Sequence, residues 1–167
     1  MKVSTKLGDT GTTSAYGCRV DKSSTLINTL GELDSCIAEC ILISSKWDSL
    51  SSTCQHIVED LNCICAIITG YNSSHLFTEE RTKWLEIEMD QESIDDDFHF
   101  VYPFHNEKAA TLNHLRTTVR SVERSLFTLN KEQPVALEIL SYINRLSDFW
   151  FIIGCKELIN ECINEGE

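Results

Sequence analysis

From Ser24 onward the chain repeats apolar residues every three or four positions, the period of a helix with one buried face. Leu26, Leu30, Leu33, Ile37 and Ile41 make the first such stripe, and Ser23 or Ser24 can cap it. After a Ser-rich turn at 49–53, Ile57, Leu61, Cys65 and Ile68 make a second, which Gly70-Tyr71-Asn72 closes. Thr78 can cap a third, acidic helix that carries Trp84, Leu85 and Met89. Leu112, Leu115, Val119, Val122, Leu126 and Leu129 alternate in threes and fours and predict a buried seam on a fourth. Pro134 suits the first turn of a fifth, with Leu137, Leu140, Ile143, Trp150 and Ile153 inward and an end near Cys162. The pattern therefore predicts helices near 24–46, 52–70, 78–91, 106–129 and 134–160, with no strands beyond isolated bridges. Residues 1–23 are rich in Gly, Ser, Thr and charge, lack a hydrophobic period, and read as a loop ahead of a helical bundle at 24–164. The expected fold is all-α: one domain over 1–167, five helices, and a four-helix-bundle core.

Composition agrees with one compact domain, since 42% of the 167 residues are hydrophobic and only two are proline. The formal net charge of −12 argues against a nucleic-acid partner, which requires basic stripes. No run of about 18 apolar residues predicts a membrane span. The first six residues carry no apolar signal core either, so a cytoplasmic location is expected. Eight cysteines without a secretory signal read as small core residues rather than a disulfide framework, and Cys63-Ile64-Cys65 lacks zinc-site spacing, so no bound metal is assigned to protein ligands.

Three segments carry candidate chemistry. In Thr5-Lys6-Leu7-Gly8-Asp9-Thr10-Gly11-Thr12-Thr13-Ser14, followed by Arg19 and Lys22, glycines let backbone N–H groups approach a phosphate while hydroxyls and lysines add donors and charge. It is not a Walker loop, and an ordinary polar tail is the alternative. Arg116, Arg120 and Arg124 fall four apart along one helical face beside Glu123, as a solvated basic face or as an anion site. Asn144, Ser147 and Asp148 form a polar stripe on a strongly apolar helix, which suits either a helix–helix network or a ligand contact. Between helices three and four, Asp95-Asp96-Asp97 reads as a solvated turn. The aromatic run from Phe98 to Phe104 reads as a loop packed on the bundle end or as a wall for a flat ligand.

Taken in this order, the segments resemble the ATP:cob(I)alamin (corrinoid) adenosyltransferases of the propanediol-utilisation (PduO) type. Thr5 to Ser14 match a TKxGDxGxTS loop, and Gly31 to Ile37 match a GxVDELN motif at glycine and aspartate. Leu85 to Asp90 resemble LExxID, Phe100 to Pro103 resemble the start of FxxPGG, Leu115 to Arg124 resemble ARTxxRRAER, and Tyr142 to Asp148 resemble YLNRLSD. The resemblance implies a cobalamin adenosyltransferase-like homotrimer with a site at each subunit interface. It implies that Thr5, Lys6, Gly8, Thr13, Ser14, Lys22, Arg120, Glu123, Arg124 and Asn144 hold ATP, with Lys6, Arg120 and Arg124 as the catalytic charges. It implies that Asp34 and Arg116 pair across the interface and that Phe100 covers the lower face of the corrin. ATP and cobalamin are the implied substrates and Mg²⁺ the implied cofactor. A corrinoid reductase and an adenosylcobalamin-dependent acceptor enzyme are the implied protein partners.

Such a site needs no base. It aligns cobalt, C5′ and the leaving oxygen, and it stabilises charge gathering on triphosphate. This chain departs from the family at Ser121 (arginine expected), Asn113 (histidine expected), Ser35 and Ile37, and Phe104-His105 replaces two glycines. The nucleotide side is nearly complete and the corrinoid side is altered. A non-catalytic relative that binds ATP or a corrinoid as a sensor or delivery module is therefore the second reading. An unrelated helical interaction protein is the third.

Overall fold

The computed structural model describes residues 6, 8–15, 17–70, 77–91 and 103–164. A β-hairpin opens the described chain: β1 (Thr12–Ala15) pairs antiparallel with β2 (Cys18–Asp21). Five helices follow, α1 (Thr25–Lys46), α2 (Ser51–Ile68), α3 (Glu79–Gln91), α4 (Glu107–Leu129) and α5 (Leu137–Asn164), with a 3₁₀ turn at Asp48–Leu50 between α1 and α2. The hairpin corrects the expectation of a strandless N-terminal loop. Gly17 turns it at φ +80°, and Gly11, at φ +83°, closes its base by accepting the Lys22 N–H at 2.9 Å. Four-residue strands made mostly of polar residues carry too little hydrophobic alternation to announce themselves.

Local chemistry sets the helix ends. Ser24 caps α1 by accepting the Ile27 N–H, and Asn106 caps α4 by accepting the Ala109 N–H at 2.7 Å. Gly70, at φ +90°, follows the last turn of α2 and donates to the Ile67 carbonyl. Pro134 does not occupy the first turn of α5, which starts at Leu137. The Asn130 side chain instead takes the Val135 N–H at 2.8 Å and holds 134–136 as a connection.

The core lies where α1, α2, α4 and α5 meet, with α3 against α5. All six residues of the predicted α4 seam are at most 1% exposed. On α1 the buried positions are Thr29, Leu33, Cys36, Cys40 and Ile43, so the core stripe is displaced from the predicted one. Leu26, Leu30 and Ile37 pack only in part, and Ile41 is 56% exposed. Cys36 and Cys40 fill core positions as small apolar residues, as expected of the cysteines. On α5, Leu137 is 73% exposed, contrary to expectation, while Ile139, Tyr142, Ile143, Leu146, Phe149 and Trp150 face inward. The predicted Leu140 and Ile153 are half-buried against the core. A Cβ on Gly154 would meet the Leu112 side chain at 3.6 Å, which marks a close approach of α4 and α5.

Helix α3 is fastened by charge as well as by rings. The Asp60 carboxylate on α2 is buried and paired with Arg81, with His56 Nε2 at 3.7 Å. Arg81 also lies over Phe77, and Phe77 meets Tyr142 edge to face at 5.2 Å. Burying the carboxylate is tolerable because the guanidinium neutralises it.

The cysteines are free thiols among the described residues. Cys36, Cys40, Cys54 and Cys155 are buried, Cys63 and Cys65 are half-buried, and Cys18 is exposed on β2. Hydrogen bonding to Cys36 and burial push the Cys40 thiol well up, and bonding to Cys40 and burial do the same for Cys54. Burial, with Asp34 adding to it, pushes Cys65 up from 9.0 to about 11. Burial also lifts Cys155 to about 11, against the opposing pull of Arg116.

Three outcomes follow. Leu115→Ala should cost about 3 kcal/mol of unfolding free energy and Ile41→Ala under about 0.5, as read by urea denaturation. With a chromogenic disulfide reagent at pH 8, Cys18 should react in the native state while Cys36, Cys40 and Cys54 wait for unfolding. The folded state holds the Cys65 and Cys155 protons more tightly than the unfolded chain. Their share of stability is thus complete below pH 9.0 and falls as pH rises toward about 11, which a denaturation series in pH would show.

Candidate functional site

The hairpin gathers the N-terminal candidates by backbone geometry. Lys6 stands at φ +57°, and its carbonyl accepts the Asp9 N–H, so the chain turns between Lys6 and Asp9 with Gly8 inside the turn. A Cβ on Gly8 would come within 3.2 Å of the Lys22 ammonium. Glycine at that position lets the Lys22 side chain lie across the loop. Strand pleating separates Thr13 from Ser14: the register pairs Thr13 with Val20 and Ser14 with Arg19. Arg19 is engaged on the Ser14 face, donating to the Thr12 hydroxyl, to the Thr12 carbonyl at 3.3 Å and to Ser14 Oγ at 3.5 Å. Asp21 accepts the Ser23 N–H at 2.8 Å and its hydroxyl at 2.6 Å. These bonds hold its carboxyl below the usual value and shape the turn into α1. Thr5 and Phe100 lie outside the described residues, as does the aromatic run through Tyr102.

The buried seam of α4 fixes where its arginines go. A step of four residues advances about 40° around a helix, so three arginines four apart fan out rather than stack. Arg116 is half-buried on the α5 side, donating from Nε to Asn113 Oδ1 at 3.0 Å and close enough to Cys155 to act on its thiol. Arg120 is exposed and makes no hydrogen bond or ion pair among the described residues. Arg124 has swung toward α1 and donates from Nη2 to Ser121 Oγ at 3.2 Å. Glu123 sits half-buried beside them, with no ion pair among the described residues.

Helix α5 runs antiparallel to α4, keyed by the Lys108–Glu157 ion pair at 2.5 Å and by the Gly154–Leu112 contact. Continuing that register brings Asn144 level with the turn from Ser121 to Arg124. Its side chain is exposed and without a hydrogen bond among the described residues. The rest of the predicted polar stripe is structural. Buried Ser147 donates to the Asn144 carbonyl at 3.0 Å, and Asp148 pairs with Arg145, which also reaches Glu86 on α3.

Asp34 is exposed on α1 and makes no ion pair among the described residues. It acts on the Cys65 thiol of α2, whereas Arg116 acts on the Cys155 thiol of α5, and the two form no ion pair with each other among the described residues.

Between the first turns of α1 and the last turns of α4 runs an open groove of about 240 Å³ lined by Thr25, Asn28, Thr29, Ser121, Arg124, Ser125 and Thr128. Apart from Arg124, sequence reading did not assign these residues to a site. The signal was a hydroxyl stripe at helical spacing, Ser121, Ser125 and Thr128, beside Thr25. The sequence also left unread a link between α1 and α4, in which Glu39 accepts from Thr118 at 2.8 Å and meets His114 Nδ1 at 3.2 Å. No cluster of three or more His, Cys, Asp or Glu residues able to hold a metal occurs among the described residues.

Several known proteins are similar to this chain. The family model described as cobalamin adenosyltransferase matches residues 3–157. A corrinoid adenosyltransferase from Bacillus subtilis is 32% identical over 90% of this chain and 83% of its own length. The corrinoid adenosyltransferase PduO of Salmonella typhimurium is 27% identical over 94% of the chain, which spans 50% of that longer protein. An ATP-bound variant of a PduO-type ATP:corrinoid adenosyltransferase from Lactobacillus reuteri superimposes with a TM-score of 0.83, at 26% identity and 91% coverage of both chains. A variant bound to cobalamin and ATP has a TM-score of 0.82 at 24% identity, with 93% of this chain and 90% of that one covered, and shows the same fold. The chain therefore belongs to the cobalamin adenosyltransferase family.

Proposed function

We propose that this chain transfers the 5′-deoxyadenosyl group of ATP to cob(I)alamin. The Co(I) electron pair attacks C5′ and the Co–C bond forms. The C5′–O bond breaks, and its electron pair leaves on triphosphate. The observation that carries this reading is the α4 surface, where a buried seam turns Arg120 and Arg124 outward beside Glu123 in a family of adenosyltransferases.

Charge collects on the leaving triphosphate, so fixed cations around it lower the barrier. Lys6, Lys22, Arg120 and Arg124 supply them, Gly8 leaves room for the phosphates, and Thr5, Thr13, Ser14 and Asn144 supply hydrogen bonds. Glu123 would hold Mg²⁺ beside the ATP phosphates, and the ion would supply further positive charge to the leaving triphosphate. Phe100, three positions before Pro103 and sixteen before Arg116, would cover the lower corrin face and keep the axial ligand away, which eases reduction of Co(II).

We also propose a homotrimer. Asp34 and Arg116 form no ion pair with each other within the chain among the described residues, which leaves both for a pair between copies. Gly31, Asp34, Ser35 and Ala38 form an exposed, mostly small-residue face on α1 against which a second copy can pack closely. Free thiols fit a reducing cytoplasm, and no described helix is long and apolar enough to cross a membrane.

Lys6→Ala and Arg120→Ala should each raise the KM for ATP by about tenfold or more while the melting temperature stays within about 2 °C, because exposed cations add little to stability. Unchanged kinetics in both would remove the nucleotide from this face. Asp34→Ala should shift the assembly toward smaller species in analytical ultracentrifugation, and a wild-type monomer that turns over substrate would rule the trimer out. Phe100→Ala should lose most transfer from cob(II)alamin with a reductant and much less from cob(I)alamin supplied already reduced. Equal losses would show that Phe100 has no hold on cobalt ligation.

A further inference from the structure

We infer that Ser121 is a positioning residue that aims Arg124 at the distal phosphates of the nucleotide, in the groove between α1 and α4. The inference rests on the adenosyltransferase reading above and adds to it a residue and a subsite.

Arginine is a long side chain that loses rotamer freedom when held, so an exposed guanidinium is diffuse unless something orients it. Ser121 stands three positions before Arg124, where side chains on one helical face meet. Its Oγ accepts from Arg124 Nη2 at 3.2 Å. That bond fixes one edge of the guanidinium and leaves the remaining N–H donors for a planar pair of anionic oxygens. Ser121 and Arg124 both line the groove, together with Thr25, Asn28, Ser125 and Thr128.

The groove is anchored rather than incidental. Buried Thr29 donates to the Thr25 carbonyl at 2.8 Å and to the Ser125 carbonyl at 3.3 Å, which ties its floor across α1 and α4. One acid stands at the rim: Glu132 accepts from the Thr25 hydroxyl at 2.6 Å. That carboxylate sets a boundary, since phosphate oxygens would be repelled beyond it. Thr25 lies three residues after Lys22, whose ammonium crosses Gly8, so the chain leads from the hairpin's phosphate-binding candidates to the mouth of this groove. A polyphosphate running along that path meets Lys22 first and Arg124 further on.

Arg120 and Arg124 thus differ in kind. Arg120 makes no bond among the described residues and is free to follow the substrate, whereas Arg124 is oriented in advance by its neighbour. Pre-orientation lowers the entropy lost on binding, and because the distal phosphates carry their charge in bound ATP as in the transition state, its absence is read chiefly in nucleotide affinity.

The test compares Ser121→Ala, Ser121→Thr and Arg124→Ala in steady-state transfer with ATP, alongside melting temperatures. Alanine is a better helix former than serine, so loss of fold is not expected in Ser121→Ala. Ser121→Ala should raise the KM for ATP about three- to tenfold with kcat within about twofold, the size of one hydrogen bond to an exposed charge. Ser121→Thr, which keeps the hydroxyl, should restore the KM. A Ser121→Ala enzyme with wild-type KM beside an Arg124→Ala enzyme with a raised one would overturn the positioning role and leave the nucleotide reading intact. Wild-type KM in both would overturn the subsite itself. A fall in kcat alone, or no rescue by threonine, would also contradict the assignment.

Discussion

The rest of the molecule depends on the burial of one stripe on α4. Leu112, Leu115, Val119, Val122, Leu126 and Leu129 are all removed from water, each contributing about 1.5–3 kcal/mol of hydrophobic free energy. A helix held so firmly along one side has no rotational freedom. Every other residue on it therefore has an assigned direction: Arg116 toward α5, Arg120 outward, Arg124 toward α1, and Glu123 among them. The polar chemistry of the protein is a consequence of its hydrophobic register.

How far the sequence could be read follows from how each element earns its place. The α4 seam was legible because its residues are all large aliphatics in unbroken steps of three and four. The α1 stripe was displaced because Thr29, Cys36 and Cys40 share the core face with Leu33 and Ile43, and such small side chains do not stand out beside Leu26, Leu30 and Ile37. Leu137 misled in the opposite way, as a large aliphatic at the exposed start of α5. The hairpin was missed because Thr12–Ala15 and Cys18–Asp21 are short and polar, and its signal lay in Gly11 and Gly17 instead. At the candidate site, the directions of the side chains were not legible. Three arginines at spacing four looked like a column and prove to be a fan.

The fan also separates two tasks. Arg116 is tied to Asn113 on the α5 side, while Arg124 reaches a groove shared with the first turns of α1. On the proposed reading, one helix serves an interface and a nucleotide at once. The proposed chemistry asks for little more, because cob(I)alamin brings its own nucleophilicity and the protein's part is to align it and to hold the departing charge.

The central claim is that this surface serves transfer of the adenosyl group and is not only a place to hold ATP. The direct measurement is the visible absorption spectrum of chemically reduced cobalamin mixed with the protein and ATP under anaerobic conditions. The cob(I)alamin bands should decay into those of a cobalt–carbon-bonded, light-sensitive product, with one triphosphate released per cobalt. Persistence of the cob(I)alamin spectrum at saturating ATP, with nucleotide demonstrably bound, would contradict the claim.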